Sequence, residues 1–219
     1  MINSVIPIWK PVDWTSFDVV KKIRNQIKPF KVGHAGTLDP FSEGVLMICT
    51  GKKTKCVESF MNQPKEYVAE INLGCETDTL DLTGNIIKRA QIPDINENII
   101  QNVLSDFIGD IMQEPPMYSA LKYNGQPLYK LARRGIKIHR KKRAVKIYNI
   151  TLLNFTVSSI EIKVMCGRGT YIRSLACDIA LSLGTVGYLK SLKRTRVGDF
   201  DEKSCIKINE FPKWLSARI

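Results

Sequence analysis

The chain has 219 residues, of which 44% are hydrophobic, so it can bury a sizeable core as one large domain or two small ones. Its 33 lysines and arginines outnumber 21 acidic residues and give a net charge of +12, which favours a polyanionic partner. Because no run of about 18 apolar residues and no signal-peptide pattern occurs, the sequence predicts a soluble, cytoplasmic protein that does not interact with a membrane.

The amino-terminal half is predicted to alternate strands and helices around one glycine-rich loop. Thr15 and Asp18 resemble the capping pair of a helix, and alternation places Tyr67, Ala69 and Ile71 on one face of a strand. The predicted elements are a strand at 6–9, a helix at about 16–28, the loop at 33–40, a strand at 44–51, a helical segment at 52–61 and a strand at 65–74.

The carboxy-terminal half continues the mixture of helices and strands. Its predicted elements are a polar loop at 75–85, a helix at about 96–108, a break at 114–116, a short helix at 128–133, strands at 144–156 and 160–166, a helix at 172–183 and a strand pair at 188–200. No repeat or low-complexity linker interrupts this order, so we expect a single α/β unit around a mixed sheet.

Six cysteines lie far apart in the chain, and no two of them form a CxxC pair. Only two histidines are available as imidazole ligands. We therefore expect neither a zinc site nor a disulfide framework, and we interpret the thiols as small buried apolar groups.

A basic segment, residues 115–160, contains no acidic residue. This density of positive charge, interleaved with tyrosines, favours binding to nucleic acid. The alternative is a solvated cationic face without a partner. The positive residues are Lys122, Lys130, Arg133, Arg134, Lys137, Arg140, Lys141, Lys142, Arg143 and Lys146.

Asp39 is the first candidate for chemistry, because it lies in a glycine-flanked turn near His34. Pro40 disfavours helical geometry at Asp39, so the carboxylate should end a loop. However, Asp before Pro is also common where a helix begins, with Asp as the cap and Pro in the first turn. The local pattern alone favours this helix-cap interpretation.

Arg173 lies in the first turn of a predicted helix, where the helix dipole disfavours a cation. It should therefore have an anionic neighbour, either a carboxylate such as Asp39 or an RNA phosphate. The alternative is an exposed arginine without a partner. Tyr67 could stack on an unpaired base or belong to the core, and His34 could be an ordinary polar loop residue.

Five motifs in order resemble the TruB family of tRNA pseudouridine synthases. They are GHAGTLDPFSEGVLMICTGKKTK, KEYVAEINLGCETDTLDLTG, PPMYSALKYNGQPLYKLARRG, GRGTYIRSLACDIALSLG and YLKSLKRTRVGDF, and the match begins at Lys10 and Pro11. The resemblance implies the pseudouridine synthase fold, an α/β fold of the α+β type whose mixed, largely antiparallel central sheet is flanked by helices.

The resemblance also implies roles for particular residues. Asp39 matches the essential aspartate, Tyr67 the aromatic residue that packs on the target uracil, and His34 the histidine that helps to hold the flipped RNA loop. Four more residues have implied roles. Tyr171 and Leu189 line the pocket, and Asp81 makes a polar contact to the base or its pocket. Arg173 pairs with the catalytic carboxylate of Asp39.

The implied reaction is isomerisation of uridine 55 in the TΨC loop of tRNA, without a cofactor or metal. Residues 1–219 would form the catalytic domain, with the family's carboxy-terminal PUA-type domain absent or truncated. We expect a monomer without an obligate protein partner, since TDTLDLTG favours the stand-alone type over the guide-RNA-dependent synthases. An alternative function is a tRNA-folding chaperone in which isomerisation is secondary.

Overall fold

The structure is a computed structural model that describes residues 3–217. Its helices are α1 (Ser16–Gln26), α2 (Val57–Asn62), α3 (Glu97–Asp106), α4 (Leu128–Ala132), α5 (Ile172–Ser182) and α6 (Phe211–Ser216). Its strands are β1 (Val5–Lys10), β2 (Val32–Ala35), β3 (Glu43–Thr50), β4 (Lys65–Leu73), β5 (Cys75–Thr77), β6 (Ile86–Arg89), β7 (Gly109–Gln113), β8 (Lys122–Tyr123), β9 (Gln126–Pro127), β10 (Arg143–Phe155), β11 (Ser159–Cys166), β12 (Gly187–Val197), β13 (Phe200–Asp201) and β14 (Ile206–Lys207).

Two compact units divide the chain. Unit 1 comprises the residues up to Val68 and those from Leu192 onward, and unit 2 is Ala69–Ser191. The boundaries fall inside β4 and β12, so each of these strands contributes residues to both units.

Helix α1 of unit 1 begins with the capping box that the sequence predicts. The Asp18 amide donates to Thr15 Oγ1 at 3.0 Å, and the Thr15 amide donates to Asp18 Oδ2 at 2.9 Å. The apolar face of the helix packs on β1 in one buried cluster. It ends at Gln26, earlier than predicted, and Pro29 disfavours helical geometry at the residue before it.

The sheet of unit 1 is mixed. Its strand order is β14-β1-β3-β12-β4, in which the first part of β4 lies beside the second part of β12. Strands β1 and β3 are antiparallel, whereas β14 pairs in parallel with β1 and β12 in parallel with β3. Strand β2 extends this sheet beside β3.

Unit 2 has the order β12-β4-β11-β10-β7, and its long pair of β10 and β11 is antiparallel. Helix α3 packs against β10 and α5. The predicted polar loop at 75–85 was only partly right, because Cys75–Thr77 form β5, which pairs with β6 in a short hairpin. Strand β7 directly precedes the predicted break at 114–116 and was missed.

The predicted α/β fold class is confirmed, since a mixed and largely antiparallel sheet is flanked by helices. The extent of the catalytic domain over residues 1–219 stays a prediction. Among the helices within residues 3–217, none is long and apolar enough to cross a membrane.

Candidate active site

Asp39 lies in the loop between β2 and β3 and begins a tight turn. The Ser42 amide donates to the Asp39 carbonyl at 3.1 Å, and Ser42 Oγ donates to the same oxygen at 2.7 Å. Pro40 takes the second position of this turn, which suits its fixed φ angle. Because strand β3 starts at Glu43 and no helix starts at Pro40, the helix-cap interpretation is wrong.

Lys10 lies behind this turn and was missed as a site residue. Its side chain is fully buried, and Nζ donates to the carbonyls of Pro11 (2.8 Å), Trp14 (2.6 Å) and Pro40 (3.2 Å). Burial lowers the pKa of Lys10 to about 8, with Asp39 opposing the shift and Arg194 adding to it. The signal was in the sequence, because alternation along β1 places Lys10 on the buried face.

Arg194 is a second buried cation of unit 1. Its side chain is 1% exposed, and it donates from Nε to the Val45 carbonyl at 2.7 Å and from Nη2 to the Gly36 carbonyl at 3.0 Å. Gly44 lies directly against its backbone, and a Cβ there would lie 2.2 Å from the Arg194 carbonyl oxygen. Only glycine therefore fits where β3 begins beside β12.

The other cations of β12 lie at the surface and have acidic partners. Lys190 pairs with Glu70 at 2.8 Å, Lys193 with Glu43 at 3.3 Å and Arg196 with Glu66 at 4.0 Å. These three cations are therefore neutralised locally and differ from the basic segment.

His34 and Tyr67 complete the predicted residues of unit 1. Burial and then Arg194 lower the pKa of His34 below its ordinary value, so the imidazole is neutral at pH 7. Its Nδ1 is buried without a hydrogen-bond partner among residues 3–217. Tyr67 is 8% exposed on the inward face of β4, as the alternation predicts, and its stacking on uracil stays a prediction.

In unit 2, Arg173 forms a buried ion pair with Asp81. Nη1 lies 3.3 Å from Asp81 Oδ2, and the two side chains are 4% and 5% exposed. Arg173 also donates from Nη1 to the Thr79 carbonyl at 2.9 Å and from Nη2 to the Tyr118 carbonyl at 2.7 Å. The interpretation as an exposed arginine is thus wrong, and the pairing with Asp39 stays a prediction.

The loop that carries Asp81 is closely hydrogen-bonded. Asp81 Oδ1 accepts from Thr79 Oγ1 at 2.7 Å, from the Thr83 amide at 3.0 Å and from Thr83 Oγ1 at 2.5 Å. Its backbone bridges to Leu189, which is fully buried. The threonines of TDTLDLTG therefore fix the carboxylate, and the structure brings Asp81, Arg173 and Leu189 together.

The backbone of Tyr171, directly before α5, is held by the side chain of Gln113, which sequence reasoning missed. The Tyr171 amide donates to Gln113 Oε1 at 2.8 Å, and Gln113 Nε2 donates to the Tyr171 carbonyl at 3.1 Å. Gln113 is 2% exposed at the end of β7. This reciprocal pair fixes the backbone immediately before Ile172 and Arg173.

The basic segment is mostly exposed in unit 2. Within residues 3–217, its ion pairing is limited to Arg140 with Glu114, and the Arg133 guanidinium lies 5.6 Å from the centre of the Tyr129 ring. Most of its positive charge therefore remains available to an anion. The exposed cations are Lys122, Lys130, Arg133, Arg134, Lys137, Lys141, Lys142, Arg143 and Lys146.

The six cysteines form no disulfide within residues 3–217; Cys49 and Cys166 are buried and the other four are partly buried. The interpretation of the thiols as buried groups is therefore right for two of them. In the part of the chain that the structure describes, no three or more histidine, cysteine and acidic side chains cluster in a way that could hold a metal ion.

Comparison with known proteins assigns both parts of the chain to one family. Residues 22–172 match the TruB family pseudouridylate synthase (N terminal domain), and residues 173–217 match the tRNA pseudouridylate synthase B C-terminal domain. The chain is 47% identical over 210 residues to tRNA pseudouridine synthase B of Francisella tularensis subsp. tularensis (strain WY96-3418), covering 95% of this chain and 70% of that relative.

Solved structures agree with this likeness. The crystal structure of a Cbf5-Nop10-Gar1 complex matches with a TM-score of 0.74 and 32% identity over 98% of this chain, which spans 56% of that chain. An H/ACA RNP bound to a substrate RNA containing 2'-deoxyuridine matches with a TM-score of 0.71 and 29% identity, over 98% of this chain and 55% of that chain. The chain therefore belongs to the TruB family of pseudouridylate synthases, and it is an isomerase of that family.

Proposed function

We propose that this chain converts uridine 55 in the TΨC loop of tRNA to pseudouridine, with base flipping and with Asp39 as the catalytic carboxylate. The observation that carries the proposal is the turn at Asp39. The motif that matches the family's essential aspartate ends in a hydrogen-bonded turn before a strand, so its carboxylate does not cap a helix. Family membership supplies the reaction and its tRNA substrate.

The chemistry requires little beyond a carboxylate and a closed pocket. The bond from C1′ to N1 breaks, the uracil turns, C1′ joins C5, the C5 proton is removed, and N1 takes up a proton. No redox change occurs and no external group is transferred, so no cofactor is needed. An ionised carboxylate near C1′ assists the first step, and a group near C5 assists the loss of the proton.

Each predicted residue has a role in this scheme. Tyr67 packs on the uracil, Tyr171 and Leu189 keep water from the detached base, and Arg173 holds Asp39 ionised. The two carboxylate oxygens of Asp81 contact Thr79, Thr83 and Arg173. We therefore assign to Asp81 the role of orienting the Arg173 guanidinium. That contact is an alternative to direct binding of the base.

The target base must leave a folded RNA loop, at an unstacking cost of a few kcal/mol. Phosphate contacts from the exposed cations of the basic segment offset this cost. His34 helps to hold the flipped arrangement as a neutral imidazole. In this proposal the chain works as a monomer in the cytoplasm, where its tRNA substrate is found, and needs no protein partner.

The proposal is tested with purified protein and an unmodified tRNA transcript. Pseudouridine should form at position 55, and a transcript with cytidine at that position should give none. A transcript with the TΨC stem-loop alone tests whether that loop is sufficient. Pseudouridine at another position, or a strict requirement for an added protein or guide RNA, would contradict the assignment.

A further inference from the structure

The backbone around Asp39 is held from outside the loop as well as by its own turn. The carbonyls of Gly36, Leu38, Asp39 and Pro40 each accept a hydrogen bond from a described residue. Donors to three of these four carbonyls come from the β1–α1 region or from β12. A loop whose acceptors are satisfied in this way has one preferred backbone path.

Ser16 makes the most specific of these contacts. Its hydroxyl accepts from the Leu38 amide at 2.9 Å and donates to the Leu38 carbonyl at 3.2 Å. Ser16 is 2% exposed, and Leu38 directly precedes Asp39. The neighbouring Thr15 supplies the cap of α1, so the Ser16 hydroxyl is not needed for capping.

Arg194 fixes the start of the loop, directly after β2, and ties it to β3. One guanidinium bonds the Gly36 carbonyl before Asp39 and the Val45 carbonyl after it. The planar fork of arginine can satisfy both acceptors at a fixed separation, whereas the single ammonium of lysine cannot reproduce that geometry. The charge is fully buried, which is tolerated because two carbonyl oxygens solvate it.

We propose that Ser16 and Arg194 are positioning residues, which hold the backbone on either side of Asp39 in the arrangement that the isomerisation requires. This inference rests on the proposed catalytic role of Asp39. Displacement of a catalytic group by about 1 Å can lower a rate about 100-fold, so loss of these contacts should reduce turnover while tRNA binding is retained.

Matched variants separate positioning from stability. Ser16→Ala removes both bonds to Leu38, and Thr15→Ala weakens the same helix start without touching the loop. Arg194→Lys removes the planar guanidinium that bonds both Gly36 and Val45. Its control is Arg196→Lys, the same change at an exposed arginine on the same strand. Two readouts are needed, namely amide hydrogen exchange of residues 36–42 and the separate values of kcat and KM with tRNA.

We expect Ser16→Ala and Arg194→Lys to speed exchange in residues 36–42 and to lower kcat about 10-fold to 100-fold, with KM within about twofold. Thr15→Ala and Arg196→Lys should leave both readouts near the wild type. Unchanged loop exchange, or a kcat for Ser16→Ala equal to that of Thr15→Ala, would overturn the inference.

The two proposals fail differently. If the wild type forms no pseudouridine but Ser16→Ala still loosens residues 36–42, the proposed function fails and the role of Ser16 in fixing the loop stands. If Arg194→Lys does not fold, Ser16→Ala decides the matter alone, because it removes one hydroxyl from a serine that its helix does not need for capping.

Discussion

Arg173 and Asp81 form an ion pair, 3.3 Å between Nη1 and Oδ2, in which both side chains are about 95% buried. Charges buried this deeply are stable only with partners, and the carbonyls of Thr79 and Tyr118 supply further contacts to the guanidinium. Asp81 thus fixes the orientation of the one arginine that the family resemblance assigns to the catalytic carboxylate.

Asp81→Asn should therefore destabilise the fold and reduce turnover. Removing one charge of a buried pair typically costs about 3–5 kcal/mol, because the other charge is left without compensation. Urea denaturation measures the free energy of unfolding. Glu70→Gln is the control, since its pair with Lys190 is partly exposed to solvent and should contribute below about 1 kcal/mol. Equal effects of the two substitutions would contradict this account.

Affinity for tRNA should depend on salt through the basic segment. Replacing the exposed Lys137 and Lys141 by glutamine should reduce the slope of log affinity against log salt by about 2, one unit for each lost phosphate contact. Filter binding at several salt concentrations measures the slope. The matched change Lys190→Gln should leave it unaltered, because Glu70 already neutralises that lysine.

Lys10 predicts an unusual dependence of stability on pH. Burial lowers its pKa to about 8 in the folded chain from 10.5. Between these values the unfolded chain binds the proton and the folded chain does not, so raising the pH through this window stabilises the fold. The free energy of unfolding of the wild type, relative to Lys10→Met, should rise by up to about 3 kcal/mol between about pH 7 and about pH 10.5.

Burial also raises the pKa values of Cys49 to about 11 and of Cys177 and Cys205 to about 12, so these thiols lower stability above about pH 9. They are present in both proteins, and their effect cancels in the comparison of the wild type with Lys10→Met. Parallel stability curves for these two proteins would show that Lys10 keeps its ordinary pKa.

Tyr67→Phe should keep the ring against the uracil and lose the hydroxyl. If that hydroxyl assists the late removal of the C5 proton, kcat should fall about 100-fold or more, with KM within about twofold. Release of tritium from C5-labelled tRNA measures this step. Tyr188→Phe is the control on β12 and should turn over like the wild type. An unaltered kcat for Tyr67→Phe would restrict Tyr67 to packing.

Sequence patterns predicted most of the elements because their apolar residues recur with the period of a helix or a strand. The helix cap at Asp39 was wrong, since the pairing of β3 with β1 and β12 is set by residues distant in the chain. The same limit applies to Lys10 and Arg194. Local patterns assign cations to the surface, whereas here carbonyls from remote loops accept their hydrogen bonds.

Strand β14 and helix α6 near the end of the chain were missed because they are too short for a periodic pattern. Ion pairs are harder still to predict. The pair of Arg173 with Asp81 joins residues separated by almost half the chain, and the sequence indicated only that Arg173 needed an anion.

In the proposed reaction, the isomerisation depends on the Asp39 carboxylate. Asp39→Asn keeps the shape of the side chain and removes its charge, so the backbone turn with Ser42 should persist. The decisive measurement is pseudouridine at position 55 of an unmodified tRNA transcript after incubation with excess enzyme. We expect product with the wild type and none with Asp39→Asn at undiminished tRNA binding; product with both proteins would show that the carboxylate is not required.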